Sequence, residues 1–68
     1  MSHEERVRLT AALADAVMRA NEAVKELDRA RESGDGARIR LAMTTYQSIE
    51  DEMTKIKRRQ AQLEHGLA

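Results

Sequence analysis

With 68 residues, no proline, no cysteine and 35% charged residues, the chain has the composition of one small helical domain rather than a β or disulfide-linked fold. Its 12 basic and 12 acidic residues cancel, which argues against a dedicated duplex-binding protein, because such proteins carry a basic excess. A chain this short buries only about 60% of its unfolded surface, so association is the expected source of further stability.

The first predicted helix covers residues 3–32, and Ser2 and Glu5 have the spacing of a capping box at its start. Its apolar residues step by four and three positions, which keeps one stripe of the helix facing a neighbour. This stripe consists of Leu9, Leu13, Ala16, Ala20, Ala23, Leu27 and Ala30.

Two flanks border this stripe and differ in character. Val17 and Val24 form a second apolar line on one side, with Thr10 one heptad earlier. The opposite side is mostly polar, with Arg19 and Glu26. The first helix therefore has a broader apolar face than a single partner helix requires.

A turn is predicted at residues 33–36, which read Ser-Gly-Asp-Gly. Gly34 suits the left-handed conformation that ends a helix, and Asp35 suits the N-cap of the next one. A connection this short makes the two helices antiparallel neighbours.

The second predicted helix covers residues 37–65 and repeats the same periodicity. Its stripe consists of Ile39, Ala42, Tyr46, Ile49, Met53, Ile56, Gln60 and Leu63. Gln60 is the polar exception. A polar residue at such a position can fix the register of two helices, and a wet layer near the open end of the hairpin explains it equally well.

The two stripes, together called the seam, match when the chain folds at the turn. Facing residues then have numbers that add to about 69, which places Ala23 against Tyr46 and Ala16 against Met53. Small residues meet large ones in most pairs, as in interdigitating layers. The sequence therefore predicts an all-α antiparallel two-helix hairpin, coiled-coil-like, with residues 1–68 as a single domain that associates into a helical bundle.

An alanine-rich seam leaves apolar surface uncovered. Each fully buried aliphatic side chain contributes about 1.5–3 kcal/mol, so a stripe of several is expected to be covered by another chain. The residues predicted to bind this protein partner are Thr10, Val17, Val24, Met43, Tyr46 and Met53. Val17→Asp or Val24→Asp should then weaken association more than Arg19→Asp on the opposite flank.

No catalytic or ligand-binding motif is present, so we expect no enzyme, no cofactor and no small-molecule substrate. His3 and His65 meet near the open end in this register, but both lie in terminal turns, which favours surface histidines over a zinc site. Glu50, Asp51 and Glu52 are consecutive in a helix and point in different directions. They indicate a solvated face rather than a catalytic pair.

Lys55, Lys57, Arg58 and Arg59 lie near the end of the second helix, where cations complement the helix dipole. No aromatic residue lies among them for base stacking, so nucleic-acid binding is the less favoured interpretation. No apolar run is long enough to span a bilayer, and no signal-peptide pattern is present. We therefore expect a cytoplasmic protein without a membrane partner.

The length, the two-helix plan, the turn at residues 33–36 and the apolar positions between Leu27 and Ile56 resemble one known family. It comprises the small co-chaperones of type III secretion needle subunits, the YscE/SsaE-like proteins. The resemblance implies a protein without a catalytic site that holds the needle subunit, together with a second, repeat-containing chaperone, and prevents early polymerisation. It assigns no functional residue. The homodimeric hairpin that regulates plasmid copy number by binding paired RNA loops is similar in length and plan.

The function predicted from the sequence is protein binding by a small chaperone or adaptor, with a secretion co-chaperone as the most specific version. The alternative is a homodimeric four-helix bundle with a regulatory, RNA-binding role.

Overall fold

The computed structural model describes residues 3–65, which form two α-helices, α1 (His3–Ser33) and α2 (Gly36–Glu64). Cross-helix ion pairs join Arg19 to Glu52 and Glu26 to Arg38, so the helices run antiparallel along a rod of 48 × 16 × 11 Å. The predicted all-α hairpin is confirmed. The predicted cap at Ser2 lies outside the described residues.

The turn consists of Gly34 and Asp35 alone, two residues shorter than the sequence suggested. Gly34 has a φ of 71°, the left-handed conformation expected of a helix-ending glycine. The Asp35 carboxylate accepts hydrogen bonds from the backbone N–H groups of Ala37 at 3.0 Å and Arg38 at 3.3 Å, which confirms it as the N-cap of α2. Ser33 stays in the last turn of α1, where its hydroxyl donates to the Ala30 carbonyl at 2.6 Å.

The predicted seam is the core of the hairpin. All of its residues in both helices are buried or half-buried, including Gln60. The most buried residues of the seam are Ala16, Ala23, Ala30, Ala42, Ile49 and Leu63. The period of three and four residues therefore selected the buried side of each helix correctly.

Alanines allow the two helices to approach closely. Ala16 and Ala30 have no exposed surface, whereas the large seam residue Ile49 retains 9% exposure. Among the described residues, no side chain larger than alanine is completely covered. The hairpin thus has a thin core whose larger side chains keep open edges, as expected when only two helices pack together.

Candidate protein-binding surface

Ion pairs between charged side chains bridge one side of the seam. Between residues 3 and 65, the only residues outside the seam that are not fully exposed are Glu5, Arg19, Glu26 and Arg59. Each of them takes part in an ion pair between the helices. We call this side the ion-paired flank; with their partners Arg38 and Glu52 it comprises six residues.

Arg19 makes the best-formed of these contacts. Its two terminal nitrogens each donate to one carboxylate oxygen of Glu52 at 2.9 Å, while Nε donates to Asp15 at 2.8 Å. Such a paired geometry is the strongest form of the arginine–carboxylate contact. The hydrogen bond from Arg19 lowers the pKa of Glu52, and the bonds to Glu52 and then to Asp15 raise the pKa of Arg19.

Two further pairs continue the ion-paired flank toward both ends of the rod. Near the turn, Arg38 donates to Glu26 at 3.0 Å, and Arg29 donates to the same carboxylate at 3.3 Å. These bonds, with that of Arg38 the stronger, lower the pKa of Glu26. Near the open end, Arg59 donates to Glu5 at 2.7 Å.

The position of these residues relative to the seam explains why they meet. Arg19 immediately precedes the seam residue Ala20, and Glu52 immediately precedes Met53. The residues of the other two pairs also stand immediately before seam residues, except for Glu5, which precedes the first seam residue, Leu9, by four positions. In an antiparallel pair of helices, residues that precede the seam lie on one common side. Long charged side chains there can reach across and shield the seam edge with their methylene stems.

The opposite side of the seam has no such cover. Thr10, Val17, Val24 and Met43 each stand immediately after a seam residue, and we call these four the apolar flank. Val17, Val24 and Met43 are 40%, 41% and 40% exposed. Aliphatic side chains in this state lie against the helix surface yet keep a large part of their area in water, which is unfavourable unless another apolar surface covers it.

The residues predicted to bind a partner thus divide into two groups. The apolar flank contains four of them, at the border between the seam and solvent. Tyr46 and Met53 belong to the seam itself and are half-buried. Val7, 52% exposed, stands three residues before Thr10 and extends the same line on α1. The helical spacing of Val7 from Thr10 and Ala14 places it with the residues that the seam leaves uncovered.

A groove lies beside Arg19, on the same side of the rod as the ion-paired flank. This open groove of about 950 Å³ is lined by residues that include Met18, Ala23, Thr44, Thr45 and Ser48. The hydroxyls of Thr44 and Thr45 already donate to backbone carbonyls within α2, at 3.0 Å and 3.1 Å. Arg19, which also lines the groove, donates to Glu52 and Asp15. The two threonine hydroxyls and the Arg19 guanidinium are therefore all hydrogen-bonded within the chain.

The residues considered in the sequence as nucleic-acid or metal ligands do not come together at one site. Arg59 is engaged by Glu5, while Lys55, Lys57 and Arg58 are exposed. Within residues 3–65, no three His, Asp or Glu side chains are placed to hold a metal ion together. Neither described helix contains a segment long and apolar enough to cross a membrane.

Comparison of the chain with protein-family models, with curated proteins and with solved structures gives no significant match.

Proposed function

We propose that this chain is a protein-binding adaptor or small chaperone whose apolar flank packs against an amphipathic helix of a protein partner. The supporting observation is the asymmetry of the hairpin. Three ion pairs cover one side of the seam, whereas Val17, Val24 and Met43 on the other side are each about two-fifths exposed.

The spacing of the apolar flank suits a helical partner. Thr10, Val17 and Val24 recur every seven residues along α1, and Met43 on α2 lies near Val24 in the hairpin register. An apolar helix laid along this line would cover the open edge of the seam over several turns. This is the helix-in-groove mode of recognition, in which side chains at heptad spacing supply the contact.

The type III secretion version of this proposal rests on the length, the two-helix plan, the turn and the apolar positions around it. In that version the partner would be a needle subunit held before it polymerises. For the RNA-binding alternative no contact provides support, because Arg59 is engaged by Glu5 and the consecutive Lys57 and Arg58 point in different directions.

The proposal is tested by placing a photo-reactive amino acid at Val24 and, in a separate variant, at Leu41. Both sites are exposed and apolar, but Leu41 is 70% exposed and stands one heptad before Ser48, on the side of the groove. In cells that produce the protein, irradiation is expected to give a discrete cross-linked species from position 24 and none from position 41.

Adding Val17→Asp to the position-24 variant should abolish this species, because a carboxylate on the apolar flank would have to lose its hydration on binding. Circular dichroism provides the control that the hairpin still folds. Equal cross-linking from positions 24 and 41, or a product that survives Val17→Asp, would exclude the apolar flank as the binding surface.

A further inference from the structure

If the apolar flank binds a helix, as proposed above, the residue pattern of α1 indicates which helix it binds. Exposed residues along α1 form a second heptad line, with steps of three and four; they are Val7, Thr10, Ala14, Val17, Asn21 and Val24. This line includes the α1 part of the apolar flank. It is a coiled-coil stripe of about five turns that lies about a quarter of a turn around α1 from the seam.

This line is complementary to itself when reversed. If a second copy of α1 runs antiparallel with Val7 opposite Val24, then Ala14 falls opposite Val17 and Thr10 falls opposite Asn21. Apolar residues meet apolar ones and polar residues meet polar ones in every layer. The two-fold axis passes between positions 15 and 16, and each layer occurs twice because of the symmetry.

The charges beside the line agree with the same register. Glu4 and Lys25 each stand one position after the line or its extension; their numbers add to 29 rather than 31, so they lie about 3 Å apart along the bundle axis, within reach of one another between the two copies. An apolar line bordered by opposite charges of this kind fixes both partner and direction in coiled coils.

The second helix distinguishes this arrangement from its competitor. With α1 on α1, the hairpin register brings α2 onto α2, and Glu50 falls opposite Lys57 of the second copy. If α1 packed instead on α2 of the second copy, Val17 would face Glu50 near the centre of the interface. With α1 on α1, an apolar residue meets a carboxylate only toward the ends of the rod, where Met43 falls opposite Glu64. The broad face of the rod, 48 by 16 Å, also has the size of the roughly 800 Å² per partner of a stable interface.

We propose that the apolar flank binds a second copy of this chain, with α1 antiparallel to α1, in a two-fold symmetric four-helix bundle. Sedimentation equilibrium over a concentration series should show a dimer. Val17→Asp should raise its dissociation constant by about 100-fold or more, because two valines leave the interface at once. Leu41→Asp is the matched control and should leave the dimer unchanged, since Leu41 lies on the other broad face.

The direction of the helices is tested without altering the apolar line itself. The chain has no cysteine, so Lys25→Cys and Glu32→Cys each accept one spin label per copy. From a rise of 1.5 Å per residue and helices about 10 Å apart, the inter-label distances should be about 30 Å at position 25 and about 50 Å at position 32. A bundle with α1 on α2 would give similar distances at both positions.

The outcomes separate the two proposals. A monomer at every concentration would overturn self-association but leave a different helical partner for the apolar flank. A dimer that Val17→Asp does not weaken would overturn self-association through the apolar flank, because the two copies would then meet through another surface. Equal distances from the two labels would overturn the antiparallel α1–α1 arrangement.

Discussion

The fully buried alanines of the seam provide the sharpest test of how the helices pack. Ala16 has no exposed surface and faces Met53 in the hairpin register, so Ala16→Val forces two extra methyl groups into the closest part of the interface. Overpacking of a well-filled core costs about 1–3 kcal/mol. Valine also has a lower helix propensity than alanine, by up to about 0.7 kcal/mol. Ala11, exposed on the same helix, is the matched control, because Ala11→Val changes propensity alone.

Thermal unfolding followed by circular dichroism at one fixed protein concentration measures the difference. For a domain of this size, 1 kcal/mol shifts Tm by about 4–8 °C, so Ala16→Val should melt at least about 4 °C below Ala11→Val. The sign of the difference is informative. If the seam were loose, the added methyl groups would be buried without strain and would stabilise the fold by about 0.8 kcal/mol each. A Tm for Ala16→Val at or above that of Ala11→Val would therefore refute close packing at the alanines.

Three further predictions concern the turn and the ion-paired flank. Asp35→Ala should destabilise the hairpin by about 1 kcal/mol in chemical denaturation, because two N–H groups of α2 lose their acceptor. Gly34→Ala should lower the free energy of unfolding by about 1–2 kcal/mol, and Gly34→Asn should lower it less. A Cβ at this position meets nothing within 4 Å, so any loss of stability reflects the positive φ alone. An unchanged stability would contradict backbone strain at this position. The pKa of Glu52 is lowered by the hydrogen bond from Arg19, so its contribution to stability is complete above the ordinary carboxyl pKa and disappears as the pH falls through the lower folded value. Arg19→Gln should therefore show a smaller loss of Tm between pH 7 and acid than the wild type, and identical acid profiles would show that the ion pair is not formed.

Local sequence patterns were enough to predict the hairpin. Helix periodicity identifies the seam because a helix must bury one stripe, and each residue's place on that stripe follows from its number alone. Gly34 and Asp35 specify the turn because their backbone and side-chain properties act within three residues. The same reasoning located Val17 and Val24 at the seam border.

The ion-paired flank could not be predicted in the same way. Arg19 can reach Asp15 on its own helix or a carboxylate on α2, and only the distance and rotation between the helices decide that it also holds Glu52. This changes the interpretation of Arg19→Asp, which would disrupt the hairpin itself. Leu41 is therefore the better control for tests of the apolar flank.

The sequence alone thus determined the two helices, their direction and the buried stripe, because these depend on local spacing. Only the tertiary structure decided which side of the seam carries the ion pairs. Long charged side chains bridge one side because their partners stand within reach across the interface, whereas Val17, Val24 and Met43 on the other side have no such partner and stay about two-fifths exposed. That difference leaves the apolar flank as an uncovered edge of the seam.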